Sequence, residues 1–176
     1  FNHYGEGFQP RMALLNPDAG IDNRFSASRG YISSAGSINH SLVLKDGRIL
    51  LVGNFAGKIK CLLKDGSVDP SFVPESINGA VSSAAIQKDG RILIGGDFTA
   101  VGGKEINRVA VFNRNGSLYN EFDPGAGADG SVTKVISLRD GGSVILGSFR
   151  NFGSQKRIGI VRLMQDGSIF SGHENN

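Results

Sequence analysis

The apolar residues of this chain come in short runs, and nearly every run stops at Gly, Asp-Gly or Asn-Gly. "SLVL", "RILLVG", "KIKCLL", "VSSAAI", "RILIGG", "RVAVF", "TKVISL", "SVILG" and "GIVRLM" follow one another between polar or glycine-rich stretches. None is long enough, and none has the three- and four-residue recurrence, to suggest a helix. The pattern predicts β-strands joined by tight turns, because Asp-Gly and Asn-Gly between apolar runs are strong hairpin signals. A type I′ turn, with positive φ at both central residues, is the form expected of them.

The runs also repeat. Asp46 to Phe55, Asp89 to Phe98 and Asp140 to Phe149 are each nine residues apart and span "DGRILLVGNF", "DGRILIGGDF" and "DGGSVILGSF". A second mark follows each copy, with seven residues from Asp65 to Phe72 and from Asn115 to Phe122, while the same count from Asp166 lands on His173. At the N-terminus, Asp18 to Phe25 fits the second spacing, and counting 17 back from Asp18, the interval from Phe98 to Asn115, reaches Phe1. A fixed period of this size marks a repeat architecture. The units are an outer half-blade over 1–25, blades over 26–72 and 73–122, and a final blade with its tail over 123–176.

Within residues 81–122 the pattern gives four short antiparallel strands: "VSSAAIQ", "RILIGGDF", "RVAVFN" and "SLYNEF". Four such strands per unit make a propeller blade. The fold class is therefore all-β, a β-propeller of about 3.5 four-stranded blades in an incomplete ring. Ile49, Leu51, Ile92, Ile94, Val144 and Leu146 alternate along the second strand, as a sheet packed between neighbouring blades requires. Gly53, Gly95, Gly96 and Gly147 suit bulges or close backbone approach. Phe25, Phe55, Phe72, Phe98, Phe122 and Phe149 are expected between blades, each stabilising the core by about 2–3 kcal/mol.

These residues carry a resemblance. "AAIQKDGRILIGGDFTAVGGKEINRVAVFNRNGSLYNEF" resembles the delta-60 repeat, a propeller motif of bacterial and phage proteins, and the similarity spans essentially the whole chain. The second repeat departs by a loop seven residues shorter between Phe55 and Asp65. The resemblance implies the fold, and a place in a phage tail, baseplate or fibre or on a bacterial surface. It implies no catalytic residues.

Composition narrows the chemistry. Hydrophobic residues are 39% and charged ones 20%, the proportions of a packed domain. The net charge of +3 comes from cations scattered singly, which does not give the footprint of a nucleic-acid binder. The single cysteine, Cys61, lies in an apolar run and is expected to be a buried, unreactive thiol. No apolar stretch is long enough for a membrane-inserted helix. Each turn offers one carboxylate where a calcium loop needs several, so no metal or other cofactor is expected; Asp123 and Asp129 in "DPGAGADGS", expected to be a flexible connection, are the least unfavourable pair. His3, His40 and His173 fall at unrelated repeat positions, and no Gly-x-Ser-x-Gly elbow is present. A non-enzymatic structural or interaction module is the expectation, with a glycan-binding adhesin as alternative and a propeller enzyme as a remote one.

Binding is expected in the longer loops "NHYGEGFQP", "TAVGGKEIN" and "RNFGSQK", at Tyr4, Phe8, Lys104, Glu105, Gln155 and Lys156. Three and a half blades do not close a ring, and two copies would supply six whole blades and two outer halves. The expected partners are therefore other proteins, or the remainder of a longer chain that begins before Phe1, with surface glycans as a further class. "SIFSGHENN" breaks the repeat and is expected to be the true C-terminus. The expected location is the virion, the cell surface or outside the cell.

Overall fold

A computed structural model describes residues 12–25 and 36–172 in full and 3–4 and 7–8 by backbone alone. The small hairpin β1 (His3–Tyr4) and β2 (Gly7–Phe8) comes first, and His173 lies outside the described residues. Three antiparallel three-stranded sheets follow. The second repeat supplies β3 (Ser37–Val43), β4 (Ile49–Asn54) and β5 (Ile59–Leu62). In the third, β6 (Val81–Ile86) and β7 (Ile92–Gly96) come before the hairpin β8 (Ala100–Val101) and β9 (Lys104–Glu105), and β10 (Val109–Phe112) closes the sheet. The fourth repeats this plan with β11 (Val132–Ser137), β12 (Ser143–Gly147), the hairpin β13 (Asn151–Phe152) and β14 (Gln155–Lys156), and β15 (Ile160–Leu163). The innermost strands β3, β6 and β11 stand side by side, and the described repeats form an open arc of propeller blades.

The fourth strand of each blade is reduced to one bridge beyond the second turn: Leu62↔Val68, Phe112↔Leu118 and Leu163↔Ile169. Leu15↔Ile21 is the same bridge in the first repeat. Short outer pieces expose little unpaired edge.

The Asp-Gly turns differ from the expected type I′. In the first turn of the second repeat, Gly47 N–H donates to Leu44 O and Leu44 N–H to Arg48 O, enclosing a three-residue loop. Gly47 has φ of 83°, but Asp46 is not among the residues with positive φ. Its carboxylate instead accepts the Arg48 amide at 3.1 Å. Aspartate is thus selected for capping the turn, and glycine for the left-handed position that follows. The second turn is built alike, with Gly66 at φ of 83°, and at the matching position the first repeat carries Ala19, held at φ of 65°.

Each inner pair also has a bulge, between Ile38 and His40, Val81 and Ser83, and Val132 and Lys134. A Cβ on Gly53, Gly96 or Gly147 would lie 2.0, 2.1 and 2.0 Å from the backbone carbonyl of Ser37, Ala80 or Ser131, where the adjoining inner strand begins. Only glycine admits that approach.

One apolar cluster fills each space between consecutive blades. Phe25 and Phe55 share the first, Phe72 and Phe98 the second, and Phe122 and Phe149 the third, and all six side chains are buried. Strand β4 feeds two clusters, Leu51 into the first and Leu50 and Val52 into the second. This sandwiching explains why its run is continuously apolar.

Candidate functional site

The expected binding loops are ordered as hairpin arms. In β8–β9, Ala100 pairs with Glu105 and Val101 with Lys104, and in β13–β14, Asn151 pairs with Lys156 and Phe152 with Gln155. Each arm is held at its base by a bridge to the segment leading into its own blade, Ile77↔Val101 and Ala128↔Phe152. Asn78 caps the first arm by accepting the amides of Thr99 and Ala100, both at 2.9 Å. Asp129 does the same for Arg150 and Asn151, at 2.8 and 3.0 Å. These amide hydrogen bonds hold its carboxyl below the usual carboxylate range. "DPGAGADGS" is therefore a built connection in which Asp129 caps an arm.

Val101 and Phe152 point into the blade and are fully buried, whereas Lys104, Glu105, Gln155 and Lys156 are exposed. The structure places the two pairs at matching positions on neighbouring arms without joining them. Lys104 Nζ instead donates to Asn120 Oδ1 at 2.8 Å, and Gln155 Oε1 accepts from Arg157 at 2.7 Å. Tyr4 and Phe8 fall on the β1–β2 hairpin, but their side chains lie outside the described residues. The second repeat has no arm. Its chain turns directly from Phe55 to Lys58, with the Lys58 amide donating to Phe55 O at 3.0 Å.

On the opposite edge, the first turn of each blade is tied to its outer strand. In the second repeat, Arg48 pairs with Asp46 at 2.9 Å and with Asp69 at 2.7 Å, the latter side chain only 4% exposed. The Ser71 hydroxyl, joined by Arg48, holds the Asp69 carboxyl below its usual range against the opposing effect of burial. In the third repeat Arg91 pairs with Asp89 and lies 3.5 Å over the Tyr119 ring. In the fourth, Arg162 pairs with Asp140 and lies 4.1 Å over Phe170. Beside these ties a cavity of about 110 Å³ opens between the second and third blades, lined by Leu44, Lys45, Arg48, Ile86, Ile92 and Arg114 among others.

Cys61 is buried in the second cluster, and burial pushes its thiol up to about 11. Among the described residues, no three His, Cys, Asp or Glu side chains are grouped to hold a metal ion. No helix among them is long and apolar enough to cross a membrane.

The repeat geometry has a counterpart among known sequences. A family described as "Domain of unknown function (DUF5122) beta-propeller" matches residues 44–72, 87–122 and 139–169, just over half the chain. The chain belongs to the DUF5122 beta-propeller family. Each match starts at or beside a first Asp-Gly turn and runs through the outer bridge, so the family signature is the outer three-quarters of a blade. The inner strands of these DUF5122 blades lie outside it.

Among solved structures, a protein of unknown function from Bacteroides caccae is 24% identical, with a TM-score of 0.44. The match covers 73% of this chain and 46% of that one, so this chain spans about half the length of that protein. No curated protein matches.

Sequence reasoning missed a third glycine. Gly36, Gly79 and Gly130 each stand 19 residues before a Gly-x-Phe phenylalanine and just before an inner strand. A Cβ there would come within 2.8, 2.6 and 2.8 Å of the Cα of Phe55, Phe98 and Phe149. The signal was the repeated Gly-Ser/Ala-Ile/Val.

Proposed function

We propose that this chain is a non-enzymatic structural and interaction module whose blades join further blades in a larger propeller. Those blades come from a longer chain or from a partner protein. The observation that carries this reading is the outer face of the fourth blade. Ile136 is 41% exposed and Ile160 56%, with Val144 and Leu146 half-buried between them. The registers Ile136↔Val144 and Leu146↔Ile160 make them one continuous stripe across three strands. In the third blade the corresponding strand β7 is buried along its whole length by the blades on either side. A sheet face of that composition is what a neighbouring blade covers.

The finer reading is a delta-60-type propeller in a phage tail, baseplate or fibre, or in a bacterial surface assembly. The sequence resemblance supports it. Purification of the native protein with light scattering tests the assembly. The expected result is a particle well above 18.6 kDa that falls apart or loses cooperativity in Ile160→Glu. A native monomer of 18.6 kDa, equally stable with Ile160→Glu, would sink the proposal.

A second reading, a glycan-binding adhesin, is favoured by the exposed polar pairs on the two arms. It predicts glycan-array binding that is lost in Lys104→Ala/Lys156→Ala while the melting temperature stays unchanged.

A further inference from the structure

His40, Ser83 and Lys134 hold one structural position: each is the first paired residue after the bulge of its inner strand, opposite Val52, Gly95 and Leu146. Ser83 Oγ accepts the amide of Val135 in the next inner strand at 3.3 Å. His40 Nδ1 accepts the equivalent amide, Ala84, also at 3.3 Å. Lys134 reaches back across two blades, placing its Nζ 3.4 Å from His40 Nε2. The side chains of His40 and Lys134 thereby meet along the inner wall of the arc, while His40 and Ser83 each also hold the backbone of the next blade.

Their polarities do not match. A neutral imidazole has one acceptor nitrogen, yet two donors face this ring, the Ala84 amide and the Lys134 ammonium. The amide is fixed in β6 and donates to Nδ1, which leaves the proton on Nε2, facing a second donor. Protonating the ring adds charge without supplying an acceptor, and burial, followed by Lys134, lowers the His40 pKa.

Among the described residues, the strands of the inner wall, β3, β6 and β11, offer no anionic side chain. Asp46, Asp89 and Asp140 at their ends are already paired with Arg48, Arg91 and Arg162. Five residues beyond the triad, about 17 Å along each strand, stand Lys45, Lys88 and Arg139, all exposed and each just before an Asp of a first turn.

We propose that the inner wall of the arc binds an oxyanion, a phosphate or carboxylate group, with His40 Nε2–H and Lys134 Nζ each donating to one of its oxygens. Lys45, Lys88 and Arg139 add long-range attraction at the mouth. Paired, charge-assisted donors of this kind suit the side-by-side oxygens of such a group.

Histidine-labelled protein, followed by NMR at about pH 8, where free imidazole is neutral, tests this with inorganic phosphate as the probe. The expected result is an Nε2–H tautomer at His40 and a saturable shift of its signal. Lys134→Met should weaken phosphate binding roughly tenfold, from one charged hydrogen bond, and Lys134→Arg should restore it. Lys88→Met should change it less than about threefold, as a screened distant charge. In the native assembly, a signal already at its bound position and indifferent to phosphate assigns the oxyanion to a protein carboxylate. A signal that responds to phosphate assigns it to a free anion. An Nδ1–H tautomer, a shift that never saturates, or equal losses in Lys134→Met and Lys88→Met would overturn the proposal.

Discussion

The second and third blades solve one mechanical problem with different chemistry. Both must fasten the first turn to the outer strand. The second does so with Arg48 between two carboxylates, one nearly buried, and the third by laying Arg91 flat on Tyr119. An ion pair shielded from water becomes costly once either partner is lost, because the survivor keeps its charge. A guanidinium on a ring depends on area and quadrupole, and either group alone tolerates its surroundings. The same joint should therefore be brittle in one blade and forgiving in the next.

The sharpest way to break the contrast is Asp69→Ala, which strands Arg48 with only the exposed Asp46 as partner. We expect a loss of about 3 kcal/mol, read from chemical denaturation, and a result under about 1 kcal/mol would mean that the pair is not effectively buried. Tyr119→Leu keeps apolar area but loses the quadrupole, so it should cost only about 1 kcal/mol on the same curve. Converting one joint into the other, Asp69→Tyr should recover roughly 1 kcal/mol relative to Asp69→Ala. No recovery would show that the second blade lacks room for a stacked ring.

Acid sharpens the contrast differently. Asp69 has a folded pKa below its unfolded value, so its contribution is complete above about pH 4 and is lost as pH falls from there through the folded value. Tyr119 carries no charge in that range. The drop in melting temperature between about pH 5 and about pH 3 should therefore be smaller in Asp69→Ala than in the wild type, and unchanged in Tyr119→Leu. The smallest effect belongs to the turns: Ala19→Gly relieves a left-handed alanine against the added freedom of glycine in the unfolded chain, and should stabilise by about 0.5–1 kcal/mol net, measured by thermal melting.

Much of this architecture is legible in the amino-acid sequence. The Asp-Gly to Gly-x-Phe spacing located the blades because each residue in it has one steric or capping duty that no other residue performs as well. The turn class was not legible, since Asp-Gly serves both a two-residue and a three-residue hairpin. The outer strand looked longer than it is, because "SLYNEF" has strand composition although one bridge is all that forms. The inner triad was invisible for another reason. Histidine, serine and lysine share no sequence signature, and the bulges shift the register that brings them into line. His40 looked unrelated to the repeat because only its backbone position, and not its side chain, repeats.

The arms are spliced into their blades at a fixed socket. With the arm, Arg108 N–H donates to Phe98 O and Gly96 N–H to Arg108 O; without it, Lys58 N–H donates to Phe55 O and Gly53 N–H to Lys58 O. Lys58 and Arg108 close the socket in the left-handed conformation, at φ of 59° and 67°. Whatever lies between its two ends can lengthen, shorten or vanish while the blade beneath keeps its hydrogen bonds, and each doubling of a flexible insert costs only about 0.6 kcal/mol. The rim of this propeller is thus a cassette: new recognition surfaces can be exchanged there one blade at a time, with the scaffold left as it was.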